Sequence, residues 1–245
     1  MSVTALALTS CSSGPQASGQ SAHSNGTKSS GLRLSGNSTP PPIAPAGSTL
    51  LATLHGAVQG YATPNGAKAA TIPATWHGAV STLPVVTAQP GWVDVRLAQR
   101  PNESTAWVRV GDVSLTSTPY QIVIHLAATH LDLYKSGHLV LSAPAGVGTT
   151  ADPTPTGHYF VAFFAQPPSS GYGPFVLVSS AHSNTISDWE SSGDALMAIH
   201  GPLGADAQIG MSGNRVSHGC VRLHLSDLAQ LRVVPAGSPI DVMAS

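Results

Sequence analysis

The sequence is short of charge. Only 9% of its 245 residues are Asp, Glu, Lys or Arg, whereas soluble domains carry about 25%. The net charge is −1, so there is no basic surplus for nucleic acid and no acidic surplus for a solvating tail. No run reaches the roughly 18 apolar residues that a membrane-spanning helix needs. The composition therefore excludes an electrostatic nucleic-acid binder and predicts no spanning helix.

Cysteine is equally scarce, since the chain contains only Cys11 and Cys220. In an exported protein these two could form a disulfide. Cys11, however, lies in a segment that gives no reason to expect order, which would leave Cys220 as a lone thiol. A lone Cys with His nearby is a candidate nucleophile.

Residues 1–48 lack aromatic and acidic side chains and are rich in Ser, Gly and Pro. Such a segment cannot bury enough apolar surface to offset its ordering entropy, so we expect a flexible tether. Near its start, Leu8–Cys11 resembles a lipobox, in which the Cys is lipidated and becomes the mature N-terminus. This resemblance implies a membrane-anchored lipoprotein whose signal peptide begins further upstream. The alternative is an incidental Cys in a disordered N-terminus.

Residues 49–117 read as short strands separated by turns. Trp92–Leu97 and Ala106–Val110 alternate apolar and polar residues around the turn at Pro101–Ser104, which predicts a β-hairpin. Gly91–Val113 resembles a bacterial SH3-like module. Such a module could bind cell-wall peptide or could simply brace the next domain.

Further short strands fill residues 118–245, with one helix predicted over Ser226–Val233 and Ser226 as its N-cap. Here the run Ser217–Arg222 (SHGCVR) follows His200-Gly201, with sixteen residues between His200 and Ser217. This pattern, with the upstream loop Thr154–Gly157, resembles the L,D-transpeptidases with a YkuD-type catalytic domain. We therefore predict a mainly β protein: a disordered tether over 1–48, an SH3-like β-barrel over 49–117 and a β-rich catalytic domain over 118–245.

The resemblance implies that Cys220 is the nucleophile and His200 the base that takes its proton. A thiol of ordinary pKa is mostly protonated near pH 7, so it needs such a base. On an extended strand His218 and Cys220 would share one face, where His218 could orient the site or polarise the sulfur. Backbone N–H groups around Gly219 are candidate oxyanion donors.

Three further residues are expected to contact the substrate: Arg222, Ser217 and Gly201. Arg222 could bind a substrate carboxylate or pair with a carboxylate of the chain itself. Ser217 is expected to form hydrogen bonds and not to act as a second nucleophile.

Activity and location follow from the same resemblance. The thiolate would attack a peptidoglycan tetrapeptide stem, release D-Ala and pass the acyl group to an amine, forming a 3→3 cross-link. No cofactor and no metal is implied, carbapenems should acylate Cys220, and the protein would act in the extracytoplasmic cell envelope in wall biogenesis and cell shape.

Three alternatives remain beside this interpretation. Water could replace the amine, giving an L,D-carboxypeptidase. The chain could be a non-catalytic wall-binding lipoprotein. His200, His218, Cys220 and His224 could ligate zinc, although His-x-Cys is not a usual zinc spacing.

Overall fold

The computed structural model describes residues 41, 43–190, 192–211 and 215–245. These residues form nineteen β-strands and a single six-residue α-helix, so the predicted mainly β fold is confirmed. Cys11 and nearly all of the predicted tether lie outside the described residues. Within the described part of the chain, no helix is both long and apolar enough to span a membrane.

The strands before Pro119 form one seven-stranded antiparallel sheet and a small two-stranded hairpin. In chain order they are β1 (Thr49–Leu54), β2 (Val58–Tyr61), β3 (Lys68–Ile72), β4 (Thr75–Trp76), β5 (Ala79–Val80), β6 (Thr82–Gln89), β7 (Trp92–Arg96), β8 (Thr105–Arg109) and β9 (Val113–Thr118). The sheet order is β3-β2-β8-β7-β6-β1-β9, and β4 pairs with β5. Val93 on β7 lies opposite Val108 on β8, which confirms the predicted hairpin.

The strands after Pro119 form an eight-stranded mixed sheet. They are β10 (Tyr120–His125), β11 (His130–Lys135), β12 (His138–Pro144), β13 (Val147–Gly148), β14 (Gly157–Ala165), β15 (Val176–His182), β16 (Leu196–His200), β17 (Arg215–Ser217), β18 (Val221–Arg222) and β19 (Pro239–Met243). The sheet order is β12-β11-β10-β19-β14-β15-β16-β18, and β13 pairs with β17 outside it. The pairs β10–β19, β16–β18 and β13–β17 are parallel.

The α-helix α1 spans Leu225–Gln230 and continues as a 3₁₀ turn over Leu231–Val233. The prediction of its N-cap is wrong. His224, and not Ser226, holds the cap position, and no side chain caps the helix there. Leu228 and Leu231 are fully buried. Because a short helix gains most of its stability from packing, these two side chains set its position more than a capping hydroxyl does.

Strand β14 separates two apolar cores. Tyr159 and Val161 pack in the core of the second sheet, whereas Phe160 and Ala162 pack with residues of the first sheet. Successive side chains of a strand point to opposite faces, so one strand can supply both cores. The predicted boundary between residues 117 and 118 stays a prediction, because the sheets divide at Pro119 while the cores meet at β14.

We expect Phe160→Ala to lower the free energy of unfolding by about 3–5 kcal/mol, since it empties a fully buried aromatic site. Urea unfolding followed by tryptophan fluorescence measures this loss. Val140→Ala is the control, because Val140 is 51% exposed on β12 and such surface changes usually stay within about 0.5 kcal/mol. Equal losses for the two variants would contradict the burial of Phe160 between the sheets.

Candidate active site

The residues singled out from the sequence converge on one pocket near the ends of β16 and β18. The pocket is lined by His200, His218, Cys220 and Arg222, with Tyr172 and Trp189 among its aromatic walls. Parallel pairing of β16 with β18 brings the two motifs together: Ile199 lies opposite Val221 and His200 opposite Arg222.

His200 is only 2% exposed, at the end of β16. Its Nδ1 donates to the carbonyl of Gly201 at 2.8 Å, so the neutral ring carries its lone pair on Nε2. Burial, with a smaller contribution from the charge of Arg222, lowers the pKa of His200 to about 4 against the opposing effect of the Gly201 hydrogen bond. His200 is therefore a neutral base at physiological pH.

Cys220 is partly buried and precedes β18. Burial raises the pKa of its thiol, although a backbone hydrogen bond with Ala198 and the charge of Arg222 act in the opposite direction. At rest one pocket thus holds both a protonated thiol and a neutral imidazole. If the sulfur attacks a substrate, the thiol must lose its proton, and a general base would accept that proton.

The segment from Ser217 to Cys220 is a bend and not the extended strand expected from its sequence. β17 ends at Ser217, and Gly219 adopts a φ of +115°. A side chain on Gly219 would also bring its Cβ within 2.6 Å of Met197 Cε. The end of the Met197 side chain could shift, so the positive φ is the condition that favours glycine here.

Two hydroxyl groups hold this bend. Ser217 Oγ donates to the Cys220 carbonyl at 2.6 Å and accepts the Gly219 N–H at 3.0 Å. Thr154 Oγ1 donates to the Gly219 carbonyl at 2.6 Å and accepts the Gly148 N–H at 2.9 Å. The hydroxyl of Ser217 matches the expected hydrogen-bonding role. Its substrate contact and the oxyanion role of Gly219 stay predictions, and the Gly219 N–H would have to leave Ser217 to bind an oxyanion.

His218 lies at the mouth of the pocket with 63% of its side chain exposed. Its ring centroid is 5.2 Å from that of Trp189, and its Nε2 is 4.0 Å from Asp152 Oδ2. Because the backbone bends here, strand alternation does not place His218 beside the sulfur, and its contacts are with the pocket rim.

The charge of Arg222 lowers the pKa of both His200 and Cys220. Its Nε is buried without a hydrogen-bond partner, and none of the ion pairs among the described residues includes it. The internal pairing left open by the sequence is therefore not made within this part of the chain. Gly201 is buried, with its N–H donating to the Tyr172 carbonyl at 2.8 Å.

The described residues contain no group of three or more His, Cys, Asp or Glu side chains arranged to hold a metal ion. His224, the fourth residue of the zinc alternative, pairs through Nδ1 with Asp206 Oδ1 at 2.9 Å.

Sequence reasoning did not single out Thr154 or Asp152 as site residues. Thr154 is 65 positions from the glycine it holds, and no local pattern reports such a contact. The only signal was indirect, because Thr154 lies in the loop that carries part of the family resemblance.

Comparisons with known proteins agree with this geometry. The YkuD family model, which describes the L,D-transpeptidase catalytic domain, matches residues 119–242. The YkuD proteins of Bacillus licheniformis and Bacillus subtilis are each 27% identical over 125 residues, which make up 51% of this chain and 66% of each relative. The chain thus spans slightly less than two thirds of these relatives.

Two solved structures are similar at lower identity. An L,D-transpeptidase from Mycobacterium smegmatis is 20% identical with a TM-score of 0.44, covering 84% of this chain and 100% of that one. A mutant L,D-transpeptidase from Enterococcus faecium is 22% identical with a TM-score of 0.39, covering 51% and 49%. The family assignment rests on the catalytic-domain match, which takes in half of the chain and both motifs of the pocket. The chain belongs to the YkuD family of L,D-transpeptidase catalytic domains.

Proposed function

We propose that this chain is a peptidoglycan L,D-transpeptidase that acts through a thioester on Cys220. One observation carries the proposal: a neutral buried imidazole and a thiol share one pocket with the guanidinium of Arg222, which has no ion-pair partner among the described residues. A base, a nucleophile and a cation are the groups that acyl transfer from an anionic peptide needs. Membership in the family supports the same reaction.

Acylation moves one proton and exchanges one bond for another. As the Cys220 sulfur attacks the carbonyl carbon of the third stem residue, the thiol proton passes to Nε2 of His200. The tetrahedral oxyanion then collapses and breaks the bond to the nitrogen of D-Ala. That nitrogen takes the proton from the His200 imidazolium, so D-Ala leaves as a neutral amine and a thioester remains.

Deacylation repeats these steps in reverse order. The amine of a neighbouring stem attacks the thioester carbonyl and gives its proton to His200, and the sulfur leaves and recovers a proton. The product is a 3→3 cross-link. Water in place of the amine gives a tripeptide, which is the carboxypeptidase alternative.

Arg222 is the substrate-binding cation of this proposal. A guanidinium without an internal carboxylate partner fits a carboxylate of the stem peptide, because charge-assisted pairs are the strong ones. His218 at the rim would orient the site. Action in the extracytoplasmic envelope, with a lipid on Cys11 as anchor, belongs to the same proposal.

The Cys220→Ala variant should convert no tetrapeptide muropeptide and form no carbapenem adduct, because the attacking sulfur is gone. Mass spectrometry after incubation measures both. For the wild type we expect a dimer that has lost one D-Ala. Cys11→Ala is the matched control, since it removes the only other thiol and should keep both reactions. A tripeptide monomer alone would favour the carboxypeptidase, and unchanged substrate would favour the wall-binding protein.

The pH dependence of carbapenem acylation should report His200. Because burial lowers its pKa to about 4, the imidazole stays neutral above that pH and accepts the proton. The rate should therefore be level between about pH 5 and 7 and fall below about pH 4, where the ring is protonated.

His200→Gln provides the comparison for this profile. Without the base, acylation should be slower by roughly 10²–10⁴-fold and should rise with pH, since only the thiolate reacts. A wild-type rate that falls below about pH 6.5, the ordinary pKa of His, would contradict the neutral buried base.

Arg222→Gln should raise the KM for tetrapeptide by roughly 10–150-fold, the equivalent of a charged hydrogen bond of about 1.5–3 kcal/mol. Steady-state kinetics should compare the free tetrapeptide with tetrapeptides amidated at one carboxylate each. One of these amidated tetrapeptides lacks the carboxylate that Arg222 binds. On that substrate, the wild type and the variant should have the same KM. An equal rise in KM on every substrate would contradict the proposal that Arg222 binds a substrate carboxylate.

A further inference from the structure

One loop of the first sheet reaches across to the catalytic pocket. It runs from Leu97 to Ser104 and joins β7 to β8. Arg100 and Asn102 of this loop contact the end of β15 and the segment after it, residues 183–190 and 192–195, which we call the pocket wall. Glu103 of the same loop accepts the His158 N–H at 2.9 Å on β14. Ser183, Ile186, Trp189 and Ala195 of this wall line the pocket that holds Cys220.

Arg100 binds the pocket wall at three places. Its Nη1 donates to the Ser183 carbonyl at 3.1 Å, its Nη2 to the Ile186 carbonyl at 3.4 Å and its Nε to Asp194 Oδ1 at 3.2 Å. The planar guanidinium donates in several directions, so it reaches acceptors that are eleven positions apart in the chain. A lysine ammonium could not contact all of these acceptors at the same time. One side chain thus ties the beginning of the wall to its end.

Asn102 adds a second attachment. Its Oδ1 accepts the His182 N–H at 2.9 Å, while its Nδ2 donates to the His182 carbonyl at 2.8 Å and approaches Asn184 Oδ1 at 3.3 Å. The amide therefore pairs with both backbone groups of the last β15 residue, as a neighbouring strand would.

Behind these contacts lies His182, which is 1% exposed. Its Nδ1 faces Asp194 Oδ2 at 2.8 Å and its Nε2 faces the Ala98 carbonyl at 2.8 Å. Burial alone would raise the pKa of Asp194, but hydrogen bonds from His182 and Ala195 with the charges of His182 and Arg100 lower it.

The wall also connects to the rim of the site. Thr185 Oγ1 donates to Asp152 Oδ1 at 3.0 Å, and Asp152 Oδ2 lies 4.0 Å from His218 Nε2. A displacement of the wall would therefore move both Trp189 and the surroundings of His218.

We propose that Arg100 is a positioning residue for the transpeptidase: with Asn102, it holds the pocket wall where Ile186 and Trp189 form one side of the stem-peptide site. This inference rests on the proposed function. The first sheet thereby contributes to peptide binding without touching the reacting atoms. Removing Arg100 leaves Cys220, His200 and both apolar cores intact, because the guanidinium is 41% exposed and packs in neither core.

The test compares Arg100→Ala with Arg96→Ala, measuring KM and kcat for tetrapeptide, the rate of Cys220 alkylation by iodoacetamide, and Tm. Arg96 is the matched control, since its hydrogen bond and its ion pair are both to Glu103 within the same loop. For Arg100→Ala we expect KM to rise roughly 10–100-fold while kcat and the alkylation rate stay within about twofold, because a displaced wall weakens substrate binding without removing a reacting group.

Arg100→Lys should be intermediate, because one ammonium keeps the charge but cannot reach all three acceptors. An unchanged KM in Arg100→Ala would overturn the inference, and so would an equal loss in Arg96→Ala. A fall in Tm together with kcat and alkylation would overturn it too, since that is the signature of a structural role. A wild-type chain that neither turns over tetrapeptide nor takes up carbapenem would overturn the proposed function instead.

Discussion

The burial of β14 on both of its faces is the constraint on which the rest of the structure depends. Tyr159 and Val161 serve one core and Phe160 and Ala162 the other, so the two sheets cannot separate without exposing this strand. Because β14 and β15 are neighbours, the β7–β8 loop is held against the end of β15. The pocket wall thus owes its position to packing that lies well away from the sulfur.

Within the site, burial dominates the protonation of His200 and Cys220. It favours the neutral forms of both side chains and acts against a preformed thiolate–imidazolium pair. The charge of Arg222 favours the thiolate and disfavours the imidazolium. In the proposed reaction, charge would therefore develop only as the sulfur attacks the substrate carbonyl.

Much of the fold and the centre of the site could be read from the sequence. Alternation of apolar and polar residues predicted the β7–β8 hairpin, and the motif with its upstream His identified Cys220 and His200. Three details could not be read. The bend at Gly219 breaks the alternation expected for His218. The helix begins at Leu225, with His224 and not Ser226 at its N-cap. Thr154 forms a hydrogen bond with a glycine that lies 65 positions further along the chain.

The sequence by itself determined which side chains could carry the proposed chemistry, because residue type decides which atoms can attack, accept a proton or carry a charge. It also determined the mainly β character, because the alternation of apolar and polar residues along a strand is visible without knowing which strands pair. Only the tertiary structure decided that His200 is neutral, that Arg222 has no carboxylate partner among the described residues and that Arg100 holds the wall. These properties depend on burial and on distances between residues far apart in the chain, which no local pattern encodes.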